Sequence, residues 1–272
     1  MKRGPDIAGR VSEAMPRLAW RAGESVHGFR PLAGEIPAAL VHDAVTTAVT
    51  TATPVDLEDL AVGFTLSEGL AETLDQIQAV EVKEADNGVE LDVWLDAPRS
   101  AALTARRERQ AGPTGAGLAG AEALAEALRR PPRVVGQLQL GVDDLRDGLR
   151  VFLAARALAA EIDGLPAAGF WTPSHGLVAA REDVHARNAL DKLVGAVAKR
   201  GLRRPGLVAV AGPLTAELVR RAAGISAPIL VATGAPTAPA VRAAEAADLT
   251  LAAMAGGEAL EIYTRADRVL LG

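Results

Sequence analysis

Between Leu177 and Met254 the chain repeats one pattern: a short apolar run, then an amphipathic stretch about three turns long. The runs are Leu177–Ala180, Leu207–Ala211, Ile229–Thr233 and Leu249–Met254, separated by predicted helices over 186–199, 214–223 and 237–247. Runs apolar at every position, set between amphipathic helices, belong to strands buried on both faces. The expectation is α/β: a mostly parallel sheet covered on both sides, filling residues 133–272. A long helix over Val142–Ile162, with Leu145, Leu149, Phe152, Leu153 and Leu158 on one side, should precede it.

The first half reads differently, as a smaller α+β domain over residues 17–132 behind a loose tail, 1–16. Ala38–Thr53 alternates and is rich in Val and Thr, as a hairpin would be. Asp56 can cap a helix whose apolar face is Leu57, Leu60, Ala61 and Phe64, and Gly69 can end it. Val80 and Val82 face Val89, Leu91, Val93 and Leu95 across Asp86-Asn87-Gly88, a hairpin signal. Residues 107–120, rich in glycine and polar groups, are expected to be a mobile loop, followed by a short helix over Ala121–Leu128 and the stop Pro131-Pro132.

Composition narrows the function classes. Aromatics are only 3% of the chain, so its core must be built from small and branched side chains. A net charge of −5 argues against a nucleic-acid binder. No run approaches the ~18 apolar residues of a membrane span, and the start has no apolar signal region, so a cytoplasmic protein is expected. The chain has no cysteine, which removes disulfides and thiolate metal sites. His27, His42, His175 and His185 show no metal-ligand spacing.

Ligands of such sheets sit at the carboxyl ends of the strands. Two turns fall there, Ala211-Gly212-Pro213 and Thr233-Gly234-Ala235-Pro236-Thr237. Each leads into a helix start whose N–H groups can seat phosphate, although simple turn chemistry accounts for them too. Neither matches a dinucleotide or nucleoside-triphosphate loop. Arg181, Glu182, Asp183, Arg187, Asn188, Asp191 and Lys192 crowd onto one strand end and the first turns of one helix. Asp183 as a cap with solvated neighbours is one reading; a polar ligand at the sheet edge is the other. The segment Thr114-Gly115-Ala116-Gly117-Leu118-Ala119-Gly120 has the spacing of a Cys-x-x-Cys pair at Ala116 and Ala119, with no thiol at either.

Glu182–Leu193, EDVHARNALDKL, is similar to the EDVGRHNALDKL signature of the FdhD family of formate dehydrogenase accessory sulfurtransferases. DLEDLAVGFTLSEGL at 56–70 resembles that family's other marker. TGAGLAG resembles its TGCGLCG loop, and GLVAVAG, PILVAT, GAPT, GG and YT over 206–264 follow its carboxyl-terminal pattern. The resemblance covers nearly the whole chain from about residue 30. It implies a cytidine-deaminase-like α/β carboxyl-terminal domain and a homodimer. It also implies sulfur received from a cysteine desulfurase on the loop cysteines and passed to a bis-molybdopterin guanine dinucleotide destined for the formate dehydrogenase catalytic subunit. GDP or GMP would be partial mimics of that cofactor. The cofactor-binding positions it implies are His175, Arg181, Asp183, Arg187, Asn188, Asp191, Lys192, Gly212, Thr233, Gly234, Ala235, Pro236, Thr237, Gly256 and Gly257.

The departures are chemical. A persulfide needs a thiolate, which Ala116 and Ala119 cannot form. The family's Gly-Arg-His is His185-Ala186-Arg187 here, its TGG-x-H appears as Thr172-Pro173-Ser174-His175, and its Arg before Gly-Gly is Ala255. The expectation is a molybdenum- or tungsten-cofactor chaperone that delivers its cargo without sulfur transfer. The alternative is a sulfurtransferase of the FdhD type whose cysteines were replaced by engineering. A zinc deaminase would need a Pro-Cys-x-x-Cys pair and is disfavoured; a ligand-free interaction scaffold would leave 181–192 as a solvated face.

Overall fold

A computed structural model of the protein describes residues 11–111, 130–201, 205–225, 227–255 and 259–271. A two-stranded ribbon comes first, β1 (Ser12–Arg21) paired with β2 (Glu24–Ala33) around Ala22-Gly23, both at positive φ. Residues 12–16, expected in the tail, therefore belong to a strand. No strand was legible there, because Pro16 and three arginines interrupt the ribbon's alternation.

A four-stranded sheet follows, in the order β4-β3-β6-β5. The hairpin of β3 (Ile36–His42) and β4 (Val45–Ala52) turns at Asp43 and Ala44, with φ of 48° and 61°. β5 (Ile77–Ala85) and β6 (Gly88–Leu95) form the other predicted hairpin. Helix α1 (Leu57–Ser67) packs its Leu57, Leu60, Ala61 and Phe64 on this sheet. Asp56 does stand at its N-cap, but at φ 53° and without a side-chain cap bond; its carboxylate lies 3.4 Å from Arg181 instead. Gly69, at φ 67°, ends the helix as expected. Helix α2 (Ala97–Ala111) takes in residues 107–111, which were expected to be loop. Arg107 donates to the His42 carbonyl at 3.1 Å, which ties this part of the helix to the hairpin turn. The rest of that loop and the helix expected over 121–128 lie outside the described residues.

The larger sheet has six strands in the order β13-β12-β11-β10-β8-β9. They are β8 (Ala167–Thr172), β9 (Gly176–Glu182), β10 (Leu207–Ala211), β11 (Ile229–Ala232), β12 (Thr250–Ala255) and β13 (Ala259–Thr264). Only β10–β11 and β11–β12 pair in parallel; β8, β9 and β13 add three antiparallel pairs. The expected mostly parallel sheet is thus mixed, because only three residues separate β8 from β9 and β12 from β13, too few for a crossover helix. Helix α3 (Val142–Ala154) is shorter than expected and gives way to a 3-10 turn at Leu158–Ala160. It covers one face with Leu145, Leu149 and Phe152, which meet Leu207, Ala209, Ile229 and Val231.

Helices α4 (Ala186–Lys199), α5 (Ala216–Ala223) and α6 (Ala238–Ala246) cover the other face, over Val208, Val210 and Leu230. A short parallel pair, β7 (Leu140–Gly141) with β14 (Val269–Leu270), joins the segment before α3 to the chain end. Helix α4 is buried from Asn188 to Val197, with the sheet beneath it and α1 across its other side. Among the described residues no helix is long and apolar enough to cross a membrane.

Candidate functional site

The carboxyl ends of β10 and β11 open into two loops that brace one another. Gly212 N donates to Thr233 Oγ1 at 2.9 Å, Gly234 N to the Gly212 carbonyl at 3.2 Å, and Thr237 N to the Leu214 carbonyl at 2.9 Å. Leu214 and Pro236 add a parallel bridge. Gly212 sits at φ 130°, in the region glycine favours. A Cβ on Gly234 would lie 2.8 Å from Pro213 N, so the loops meet backbone to backbone. Thr215 and Thr237 cap α5 and α6, accepting from Leu218 N at 3.4 Å and Ala240 N at 3.3 Å. The N–H groups of Gly212, Thr233, Gly234 and Thr237 are therefore already bonded inside the fold. Ala235 and Thr237 are exposed at the rim, with Thr233 and Pro236 half-buried.

The strand end and helix start at 181–192 lie on this same edge, since Glu182 is in register with Ala167 and Ala167 with Ala211. Their charges face inward. Asp183 accepts from Thr53 N at 3.1 Å, His185 N at 3.0 Å and Asn188 Nδ2 at 3.0 Å, and pairs with Lys192 Nζ at 2.6 Å. Both members of that pair are fully buried. Lys192 also donates to the Thr53 carbonyl at 3.0 Å, and Asn188 to the Thr51 carbonyl at 2.8 Å. Burial pulls the Lys192 pKa below the usual lysine value, against the opposing charge of Asp183. Every polar atom of Asp183 thus has a partner, as a buried charge requires.

Arg181 reaches Asp59 of α1 at 2.7 Å, and Lys199 reaches the same carboxylate at 2.6 Å. Asp191 binds Arg221 of α5 at 2.6 Å, and Arg221 in turn holds Glu68 at 2.6 Å and Glu217 at 3.4 Å. Burial pushes the Asp191 pKa up to about 6 despite Arg221 beside it. The charged cluster at 181–192 is met here by Asp59 and Glu68 at α1, by Arg221 on α5, and by backbone groups of Thr51 and Thr53.

Arg187 differs. It projects from the first turn of α4 with 40% of its side chain in water, 3.8 Å from Glu217 on the first turn of α5. Among the charged side chains of the 181–192 segment it is the one most open to solvent. His185 closes the other flank, its Nε2 2.8 Å from Thr51 Oγ1. His175 does not join them. It sits in the β8–β9 turn beside Ser174, at the opposite edge, because Trp171 pairs with Leu207 at the start of β10. Ala116, Ala119, Gly256 and Gly257 lie outside the described residues.

Sequence reasoning missed Thr51, Thr53, Asp59, Glu68 and Arg221. The one signal was Asp59 itself, a carboxylate set among Leu57, Leu60, Ala61 and Val62 that needs a buried partner.

Fold and edge together define an α/β protein whose four- and six-stranded sheets are joined through α1 and α4, with a loop-lined rim at the carboxyl ends of β10 and β11. The FdhD/NarQ family model matches residues 33–270, and the chain belongs to that family. It is 41% identical over 257 residues to a sulfur carrier protein FdhD of Agrobacterium fabrum, covering 94% of this chain and 95% of that one. Its identity to the protein of the same name from Brucella abortus is 37%, over 96% and 98% of the two chains. The fold is similar to a crystal structure described as a formate dehydrogenase accessory protein from Desulfotalea psychrophila. The TM-score is 0.74 at 20% identity, over 96% of this chain and all of that one.

Proposed function

We propose that this chain is an accessory protein for a molybdenum or tungsten formate dehydrogenase. It binds bis-molybdopterin guanine dinucleotide as cargo and delivers it to the catalytic subunit without moving sulfur. One observation supports this above the others: relatives named sulfur carriers are up to 41% identical, yet this chain has no cysteine anywhere. A carrier must hold sulfur as a persulfide, formed when a thiolate attacks the donor's sulfur, and alanine has no such nucleophile. The cytidine-deaminase-like label for the carboxyl-terminal domain and a cytoplasmic location belong to the same reading.

The rim fits the nucleotide end of the cargo in part. Arg187 can pair a phosphate oxygen, Thr233 and Thr237 bring hydroxyls on the loops of the same sheet edge, and Gly212 and Gly234 let those loops pack backbone to backbone. The buried pair Lys192–Asp183 takes no part in binding; it holds β4 against the start of α4 and so fixes where Arg187 stands. Asn188 and Asp191 act in the same way, through Thr51 and Arg221.

The test has two arms. Incubation with a cysteine desulfurase and labelled cysteine should leave the protein unlabelled, and stable label on it overturns the no-sulfur reading. Native mass spectrometry of the protein from cells making formate dehydrogenase should show the mass of a pterin dinucleotide, and its absence overturns the cargo.

A further inference from the structure

Arg187 and Glu217 stand on the first turns of α4 and α5, 3.8 Å apart, with 40% and 44% of their side chains in water. That distance offsets charge but is too long for a hydrogen bond, so the carboxylate leaves the guanidinium N–H groups unoccupied. Glu217 is also shared. Its Oε1 lies 3.4 Å from Nη2 of Arg221, four residues further along α5. Arg221 has closer partners, the two oxygens of Asp191 at 2.6 and 2.7 Å and Glu68 at 2.6 Å. Two carboxylates therefore already answer the single charge of Arg221, and the charge of Glu217 is in excess there. Among the described residues, Arg187 is the other cation paired with Glu217. Of the two arginines only Arg187 is open to solvent, since the Arg221 side chain is buried.

We propose that Glu217 is the release residue of the rim, an internal carboxylate that competes with the ligand's phosphate for Arg187. The role rests on Arg187 as the group that pairs a phosphate oxygen. What the ligand gains at Arg187 is then the difference between a guanidinium–phosphate contact and the guanidinium–carboxylate contact it replaces. Glu217 also stands as a like charge beside the incoming anion. When the phosphate arrives, Glu217 keeps Arg221 at 3.4 Å, so its charge stays partly answered and the backbone need not move. When the phosphate leaves, Arg187 regains a counter-charge at once. Both effects loosen the complex, chiefly by speeding dissociation. A chain without a thiol can hold its cargo only by such reversible contacts, and hand-over needs a hold that can be let go.

An acid in the first turn of a helix has an ordinary use as well, since it meets the positive end of the helix dipole. The two roles differ in sign. If Glu217 only steadies α5, removing its charge loosens the rim and weakens binding; as a competitor, removing it tightens binding.

Calorimetry on the full chain, with GDP and with inorganic pyrophosphate as probes, tests this through a double-mutant cycle. Glu217→Gln should bind GDP roughly fivefold to tenfold tighter than the parent, with slower displacement of a fluorescent guanine nucleotide. In an Arg187→Ala background the same change should alter affinity by no more than about twofold. The melting temperature of Glu217→Gln should be equal to the parent's or slightly lower. Equal or weaker GDP binding in Glu217→Gln overturns the release role and leaves the nucleotide reading standing. A gain of the same size in the Arg187→Ala background also overturns it, because plain repulsion needs no Arg187. Tighter pyrophosphate binding in Glu217→Gln, with no heat from GDP in any variant, upholds the release role and overturns the nucleotide cargo. No heat from either probe in any variant overturns both.

Discussion

A Cβ built on Gly63 of α1 would lie 1.6 Å from the carbonyl oxygen of Asp191 on α4. The relationship is reciprocal, since a Cβ on Gly195 of α4 would lie 2.1 Å from the carbonyl oxygen of Asp59 on α1. Each helix presents an aspartate and, four residues on, a glycine into which the other helix's backbone fits. The two aspartates then send their side chains sideways, Asp59 to Arg181 and Lys199, Asp191 to Arg221.

Gly63→Ala or Gly195→Ala must push the two backbones apart and stretch those ion pairs. The expected loss is about 3 kcal/mol or more for either change, above the usual cost of one added methyl. Urea denaturation measures it, and a loss under ~1 kcal/mol would mean that the helices separate easily.

Lys192→Met should cost ~3–5 kcal/mol, because it strands the Asp183 carboxylate in a dry site. Adding Asp183→Asn should recover part of that loss, since it removes the stranded charge while its one carbonyl oxygen can still accept from His185 N. Arg187→Ala, half in water, should stay within ~0.5 kcal/mol of the parent. Equal losses from Lys192→Met and Arg187→Ala would contradict the division into brace and rim.

His42 makes stability fall in acid. Thr65 Oγ1 gives its proton to the Ala61 carbonyl at 2.7 Å, so it must accept from His42 Nε2, which leaves Nδ1 facing Thr47 Oγ1 at 3.0 Å. The ring is fully buried, and burial, aided by the nearby Arg107 charge, lowers its pKa to about 4. The unfolded chain therefore takes up this proton first. The contribution is complete above pH 6.5 and lost as pH falls through 6.5 toward 4, about 3 kcal/mol in all.

Asp191 acts in the opposite sense over part of that window. Its folded pKa is raised to about 6, so the native state gains stability as pH falls from 6 toward 4. The expected signature is a flatter acid limb in His42→Phe and a steeper one in Asp191→Asn. Melting temperature against pH for the two variants checks both signs.

Nucleotide binding at the rim should depend on Arg187 and on the fit of the two loops. Calorimetry with GDP should show affinity about tenfold weaker in Arg187→Ala, or ~1.4 kcal/mol. Gly234→Val should abolish binding, because its side chain would enter the Gly212-Pro213 backbone. Absence of heat from the parent at millimolar GDP counts against a nucleotide site.

Several features that depend on near neighbours were legible in the sequence. Helix α4 begins and ends where its periodicity says, β10 spans the predicted Leu207–Ala211, and Gly69 stops α1. The direction of β8 and β13 was not legible, since antiparallel or parallel pairing depends on which partner a strand finds. The segment 181–192 does run from a strand end into a helix start, as its pattern says, but which way its charges point depends on Thr53, Asp59 and Arg221, up to 139 residues away in sequence. Apolar periodicity carries no information about where a buried carboxylate finds its cation.

The crossing of α1 and α4 has a consequence for how the chain can be divided. Composition suggests a boundary near residue 132, and a cut there would leave 133–272 with its own sheet and helices. That fragment would also leave α4 with an open groove at Gly195 and Lys192 without the Thr53 carbonyl. Arg221 would lose Glu68, and Arg181 and Lys199 would lose Asp59. Water would enter along the buried length of α4, from Asn188 to Val197. The two halves, distinct as architecture, are therefore expected to melt as one, and the portion downstream of the apparent seam to be unstable as a free-standing piece.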